Sequence, residues 1–235
     1  MAEYVFVLSD DSQVPVVINS RRGLRNITIR PKFAPVREIH ISKPWLVSDR
    51  AAIKFLESKQ RWVESVFAKC PEKQAIYPNM ELEFLGRRVL LVHDSTRHSN
   101  KFQILDDGTA QLIVGGDISM FPRRVRDFIK AEFLRELKNM IHSAPREFWP
   151  ARIAVRDTTS RWGSCSSTGT MSFSWRLAFA PTDVMRYVVM HELAHKKHMD
   201  HSPEFWAEVR GLYGFGVERA KRWLAQNGAG LHALF

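Results

Sequence analysis

The chain has 235 residues, 45% of them hydrophobic, which suits one large or two small packed domains and argues against a disordered polymer. Its two cysteines, Cys70 and Cys165, cannot build the disulfide framework of a small secreted scaffold, and no run approaches the ~20 apolar residues of a membrane-spanning helix. A net charge of +10 favours anionic partners such as nucleotides or nucleic acid, but Arg21, Arg22, Arg25, Arg123, Arg124, Arg126, Lys196 and Lys197 are scattered without interleaved aromatics, so a solvated basic surface is the plainer reading.

The amino-terminal apolar residues are interrupted by Ser9, Asp10, Asp11 and Gln13, which reads as a strand and not as an export signal. A soluble protein of the reducing cytoplasm is expected, with no membrane partner. The segments YVFVL, VPVVI, NITIR, REIHI, LEFLG, RRVLLVH and AQLIVGG favour extended structure, so residues 1–120 are expected to form a β-rich region. One helix interrupts it over 48–69, with Ser48 or Asp49 as cap and Ile53, Leu56, Trp62, Val63, Val66 and Phe67 on its apolar face.

A second amphipathic helix is predicted from Pro122 to His142, burying Val125, Phe128, Ile129, Phe133, Leu137 and Ile141, with Arg124, Lys130, Arg135 and Lys138 outward. Next, ARIAVRDTTSRWGSCSS and GTMSFSWRLAFA read as an antiparallel hairpin turning at Ser167, Thr168 and Gly169. A helix capped by Thr182 or Asp183 is expected to run to His198. Another starts at Ser202-Pro203, and the last, VERAKRWLAQ, stops before Gly228. The fold class is therefore α+β, with a helical domain over 121–235. No internal repeat is visible.

The stretch HELAHKKHMDHSPEFW begins at His191 and carries the chemistry. His191 and His195, four positions apart, share one face of a helix and can point at a common ion. Neutral imidazole suits zinc, and Glu192, rotated about 100° from His191, is better placed to reach a zinc-bound water than to become a ligand. A catalytic zinc site needs a third protein donor. His201 is the first choice because the chain turns back before Ser202-Pro203, with His198, Glu204, Glu208 and Glu218 as alternatives. Cys165 reads as a buried structural thiol, and Trp162, Trp175 and Trp206 read as core or cleft wall.

Five segments, SRWGSCSS from Ser160, SFSWRLAFAP from Ser172, RYVVMHELAH from Arg186, HMDHSPEFW from His198 and KRWL from Lys221, resemble the YgjP-like metallopeptidase family, whose motif is related to SprT-like and WLM zinc peptidases. The resemblance implies a zincin-like domain, a Zn2+ cofactor, metal ligands His191, His195 and His201, and catalytic Glu192. Two positions depart from related patterns: His198 stands where metzincins have glycine, and Ser174 stands where the family is expected to have asparagine. The resulting expectation is a zinc metallopeptidase that hydrolyses protein or peptide by Glu192-assisted attack of a zinc-bound water. The alternatives are a metal-dependent nucleoside triphosphate pyrophosphatase and a nucleic-acid-associated protease. Arg161 to Cys165 borders the cleft in this reading, and Tyr187, Tyr213 and His198 are candidates for oxyanion stabilisation.

Overall fold

The computed structural model describes residues 4–32, 37–68, 75–158 and 161–235. Cys70, Ser160 and the final residue of the expected 48–69 helix lie outside them. The fold is α+β, and the chain divides into two compact units, residues 1–74 with 232–235, and residues 75–231. The expected division after residue 120 falls inside the second unit. Among the described residues no helix is long and apolar enough to cross a membrane.

In the first unit, β1 (Tyr4–Val7), β2 (Gln13–Arg21), β3 (Thr28–Lys32) and β4 (Glu38–Pro44) form one sheet in the order β1-β2-β4-β3. Alternation puts Phe6, Val14, Val16, Ile39 and Ile41 on one face, where they pack with Ala52, Leu56, Val63 and Phe67 from two short helices. These are α1 (Asp49–Glu57) and α2 (Gln60–Ala68), so the helix predicted over 48–69 is broken. Its cap is as expected, since the Ser48 hydroxyl accepts from the Ala51 amide. The break falls at Ser58, whose hydroxyl donates to the Phe55 carbonyl, a local bond that competes with the helical ladder.

The second unit opens with β5 (Glu81–Phe84), β6 (Arg87–Asp94), β7 (Lys101–Ile104) and β8 (Ala110–Gly115), ordered β5-β6-β8-β7. This repeats the first sheet: two antiparallel hairpins joined through a parallel pairing of their second strands, β2 with β4 and β6 with β8. The joins between hairpins, 22–27 and 95–100, are also equally long. The sequence hides the repeat because the likeness lies in hydrogen-bond topology and loop length, not in residue identity. Helix α3 (Phe121–His142) follows and buries Val125, Ile129, Phe133, Leu137 and Ile141 as predicted. Phe128 is only half-buried, and Arg124 turns back to donate to the Gly115 and His98 carbonyls instead of facing solvent.

A three-stranded sheet then frames the site, with β9 (Arg152–Arg156), β10 (Gly163–Cys165) and β11 (Thr170–Ser174) in the order β10-β11-β9. The predicted hairpin is β10 with β11, turning through Ser166–Gly169. The segment ARIAVR is not part of it: β9 pairs parallel to β11. WRLAF is a 3-10 turn over Trp175–Phe179 and not a strand. Helix α4 (Thr182–Ala194) follows, with Pro181 at its cap in place of Thr182 or Asp183, and ends four residues before His198. Its buried residues occupy nearly the whole circumference, as befits a helix enclosed by α3, β10 and α5. Helices α5 (Pro203–Tyr213) and α6 (Val217–Ala233) complete the unit, α6 running through Gly228.

Candidate active site

His191 lies in the last turn of α4, and His195 is the residue that caps it, still in right-handed helical conformation, so the four-residue spacing keeps both rings on one side. The chain then turns back and Ser202 starts α5, its hydroxyl accepting from the Phe205 amide. That turn carries His201 to the other two histidines. One ring nitrogen from each of His191, His195 and His201 lies within 4.8 Å of the others, and no other such group of three His, Cys, Asp or Glu is found among the described residues. The ring centroids form a near-equilateral triangle with sides of 5.0, 5.1 and 5.2 Å.

The donor set fits a metal cation. Nε2 of His191 and Nε2 of His201 are 3.3 Å apart, close to the ~3.3 Å expected between two nitrogens bound tetrahedrally at ~2.0–2.1 Å. Nδ1 of His195 lies 2.9 Å from the His198 carbonyl, which can only accept, so Nδ1 carries the hydrogen and Nε2 keeps its lone pair for a ligand. Burial, with the neighbouring His195, His201 and Lys221, pushes His191 down to about 4, which holds its imidazole neutral. Burial also lowers His195.

Phe205, fully buried, stands 4.5 to 4.9 Å from all three imidazole centroids and closes the apolar floor. Trp206 adds a wall, with its ring 5.7 Å from His191 and 6.0 Å from His201. The sequence marked Phe205 only as an apolar position of its helix. The histidine at i−4 of a helix-start phenylalanine is the signal that finds it.

Glu192 is 6% exposed, and burial pushes its carboxyl up to about 7, partly opposed by the Arg161 guanidinium. The carboxylate lies against β10. A Cβ built on Gly163 would stand 2.5 Å from Oε1 of Glu192, so the missing side chain of the strand is the space the carboxylate fills. The approach of β10 to α4 therefore ties residue 163 to Glu192, a contact the sequence did not mark.

The other candidates separate by geometry. His198 contributes its backbone carbonyl to His195, and its side chain is outside the cluster. Glu208 is held 3.5 Å from Lys197, Glu218 pairs with Lys221 at 3.0 Å, and Glu204 is exposed. Tyr187 is buried beneath His191 and pushed up to about 12 by burial and nearby acids, while Tyr213 packs against it. Cys165 is half-buried, not buried. Its thiol donates to the Ser166 carbonyl, and burial together with Glu192 raises its pKa, disfavouring the thiolate. Trp175 is in the core, and Trp162 packs against Gly228 of α6.

The metallopeptidase zymogen of Pyrococcus abyssi abylysin, a crystal structure, is similar to this chain at 25% identity and a TM-score of 0.32, over 43% of this chain and 96% of its own. No curated protein sequence matches. The family described as YgjP-like, metallopeptidase domain, matches residues 25–227, which takes in every element from β3 to α5 and most of α6 but not β1 or β2. The chain belongs to the YgjP-like metallopeptidase family, whose members imply a metal cofactor and protein or peptide substrates.

Proposed function

We propose that the protein is a zinc metallopeptidase whose ion is held by His191, His195 and His201 and whose general base is Glu192. One observation carries this reading: three imidazole nitrogens converge within 4.8 Å beside a buried carboxylate. An all-nitrogen donor set with neutral rings suits zinc over the harder cations that prefer oxygen. When bound, the ion supplies Lewis acidity, polarising the scissile carbonyl and drawing the pKa of water toward neutrality.

Glu192 does the proton work. Burial raises this carboxyl to about 7 in the metal-free protein, so it is basic enough to take a proton from attacking water at one oxygen and return it to the leaving amine. Gly163 leaves the space that carboxylate fills beside β10, and Phe205 keeps the floor beneath the ligands apolar. β10 has β11 on one side and no strand on the other among the described residues, so its free amides and carbonyls suit an extended peptide added at the edge. The free thiol of Cys165 suits a reducing cytoplasm.

The decisive comparison is wild type against Glu192→Gln, each assayed for bound zinc and for turnover of unfolded protein and of nucleoside triphosphates. The expected result is retained zinc with proteolysis reduced about 1,000-fold. Proteolysis that survives the substitution rejects the assignment, and triphosphate turnover that alone depends on Glu192 replaces it with a pyrophosphatase.

A further inference from the structure

The cations around the site differ in how their charge is used. Lys197 bridges Glu147 at 2.8 Å and Glu208 at 3.5 Å. Lys221 pairs with Glu218 and lies 4.6 Å over the Trp206 ring. Arg186 donates to the Leu212 and Tyr213 carbonyls. Arg161 and Lys196 are exposed and have no ion-pair partner among the described residues.

These two side chains mark opposite ends of β10. Arg161 precedes Gly163 by two residues, and its charge reaches Glu192. Lys196 extends from the end of α4 to the hairpin turn, where its Nζ lies 3.2 Å from the Cβ position of Gly169, and its charge reaches Cys165. A peptide extended beside β10 advances ~3.3 Å per residue, so four steps cover roughly 13 Å and reach past both ends of this three-residue strand. A peptide lying along this edge presents alternate side chains to one face, so residues four apart face the same way.

We infer that Arg161 and Lys196 make the enzyme selective for acidic peptides, with carboxylate side chains about four positions apart. The inference rests on the peptidase reading above and names the substrate class of that site. Two exposed cations with no ion pair among the described residues attract such a substrate and repel a basic one, so selectivity has both an attractive and a repulsive part. The net charge of +10 adds long-range attraction of the same sign.

The test compares the zinc-loaded full chain on three peptides that differ only in a pair of residues four apart, both Glu, both Gln or both Lys. The expected order of kcat/KM is Glu over Gln over Lys, by about fivefold for each charge at low salt and less at high salt. Arg161→Glu and Lys196→Glu should each shift the preference toward the Lys peptide, a relative gain that misfolding cannot produce. Charge-indifferent cleavage by the wild type, or an acidic preference that survives both reversals, overturns the inference and leaves the peptidase standing. Failure of the wild type to cleave any of the three overturns both.

Discussion

A Cβ at residue 163 would stand 2.6 Å from Cγ and 2.8 Å from Cδ of Glu192 as well as meeting its carboxylate oxygen, so even the smallest added side chain must move the Glu192 side chain. Gly163→Ala is expected to lower kcat about 100-fold through a displacement on the order of 1 Å, with zinc content retained. A variant with full turnover would show that the close approach has no catalytic consequence. The raised Glu192 pKa also has a sign that can be checked without metal. A carboxyl whose folded value is about 7 against an ordinary 4.5 contributes stability below pH 4.5 and loses it as pH rises through 7. His191, lowered to about 4 from 6.5, works the other way: its contribution is full above pH 6.5 and is lost as pH falls through 4. Thermal melts of metal-free wild type and Glu192→Gln isolate the first effect, and the Tm of wild type relative to the variant should fall between pH 4.5 and 7. A pH-independent difference would contradict it. The histidine cluster and the carboxylate beside it were legible because helical spacing is a one-dimensional property. Gly163 was not, since its role depends on a strand approaching a helix 29 positions later in the sequence.

The elements at the site were legible where capping chemistry is local. Ser202-Pro203 marked the start of α5, and the hydroxyl accepts from the Phe205 amide as that signal requires. Ser202→Ala should cost about 1 kcal/mol of stability. Because Ser202 adjoins His201 and positions Phe205, the same change should weaken zinc binding, measured by chelator competition. An unaltered zinc affinity would uncouple the cap from the site. Where the helix before the turn ends was less legible. HKKH continues a helical pattern, yet α4 stops at Ala194 and the His198 carbonyl meets the His195 ring. Strand direction was also hidden. The alternation in ARIAVR identified a strand, but period-two patterning is the same in either direction, and β9 runs parallel to β11.

At the scale of the molecule, the sequence carried the fold class and most strands, while the arrangement of the sheets came only from pairing. The likeness between β1-β2-β4-β3 and β5-β6-β8-β7 is not one of residues, and the expected boundary at 120 followed the change from strand-rich to helix-rich sequence. The compact division instead follows α1 and α2, because each four-stranded sheet is followed by its own helical cover. Of the basic charge that is diffuse along the sequence, ion pairs account for Lys197 and Lys221 near the site. The chain leaves the first unit after residue 74 and re-enters it at residue 232. A single nick at the 74–75 junction therefore does not yield two self-sufficient halves: the longer fragment still carries the last four residues of the shorter one's unit, and the shorter fragment is left without them.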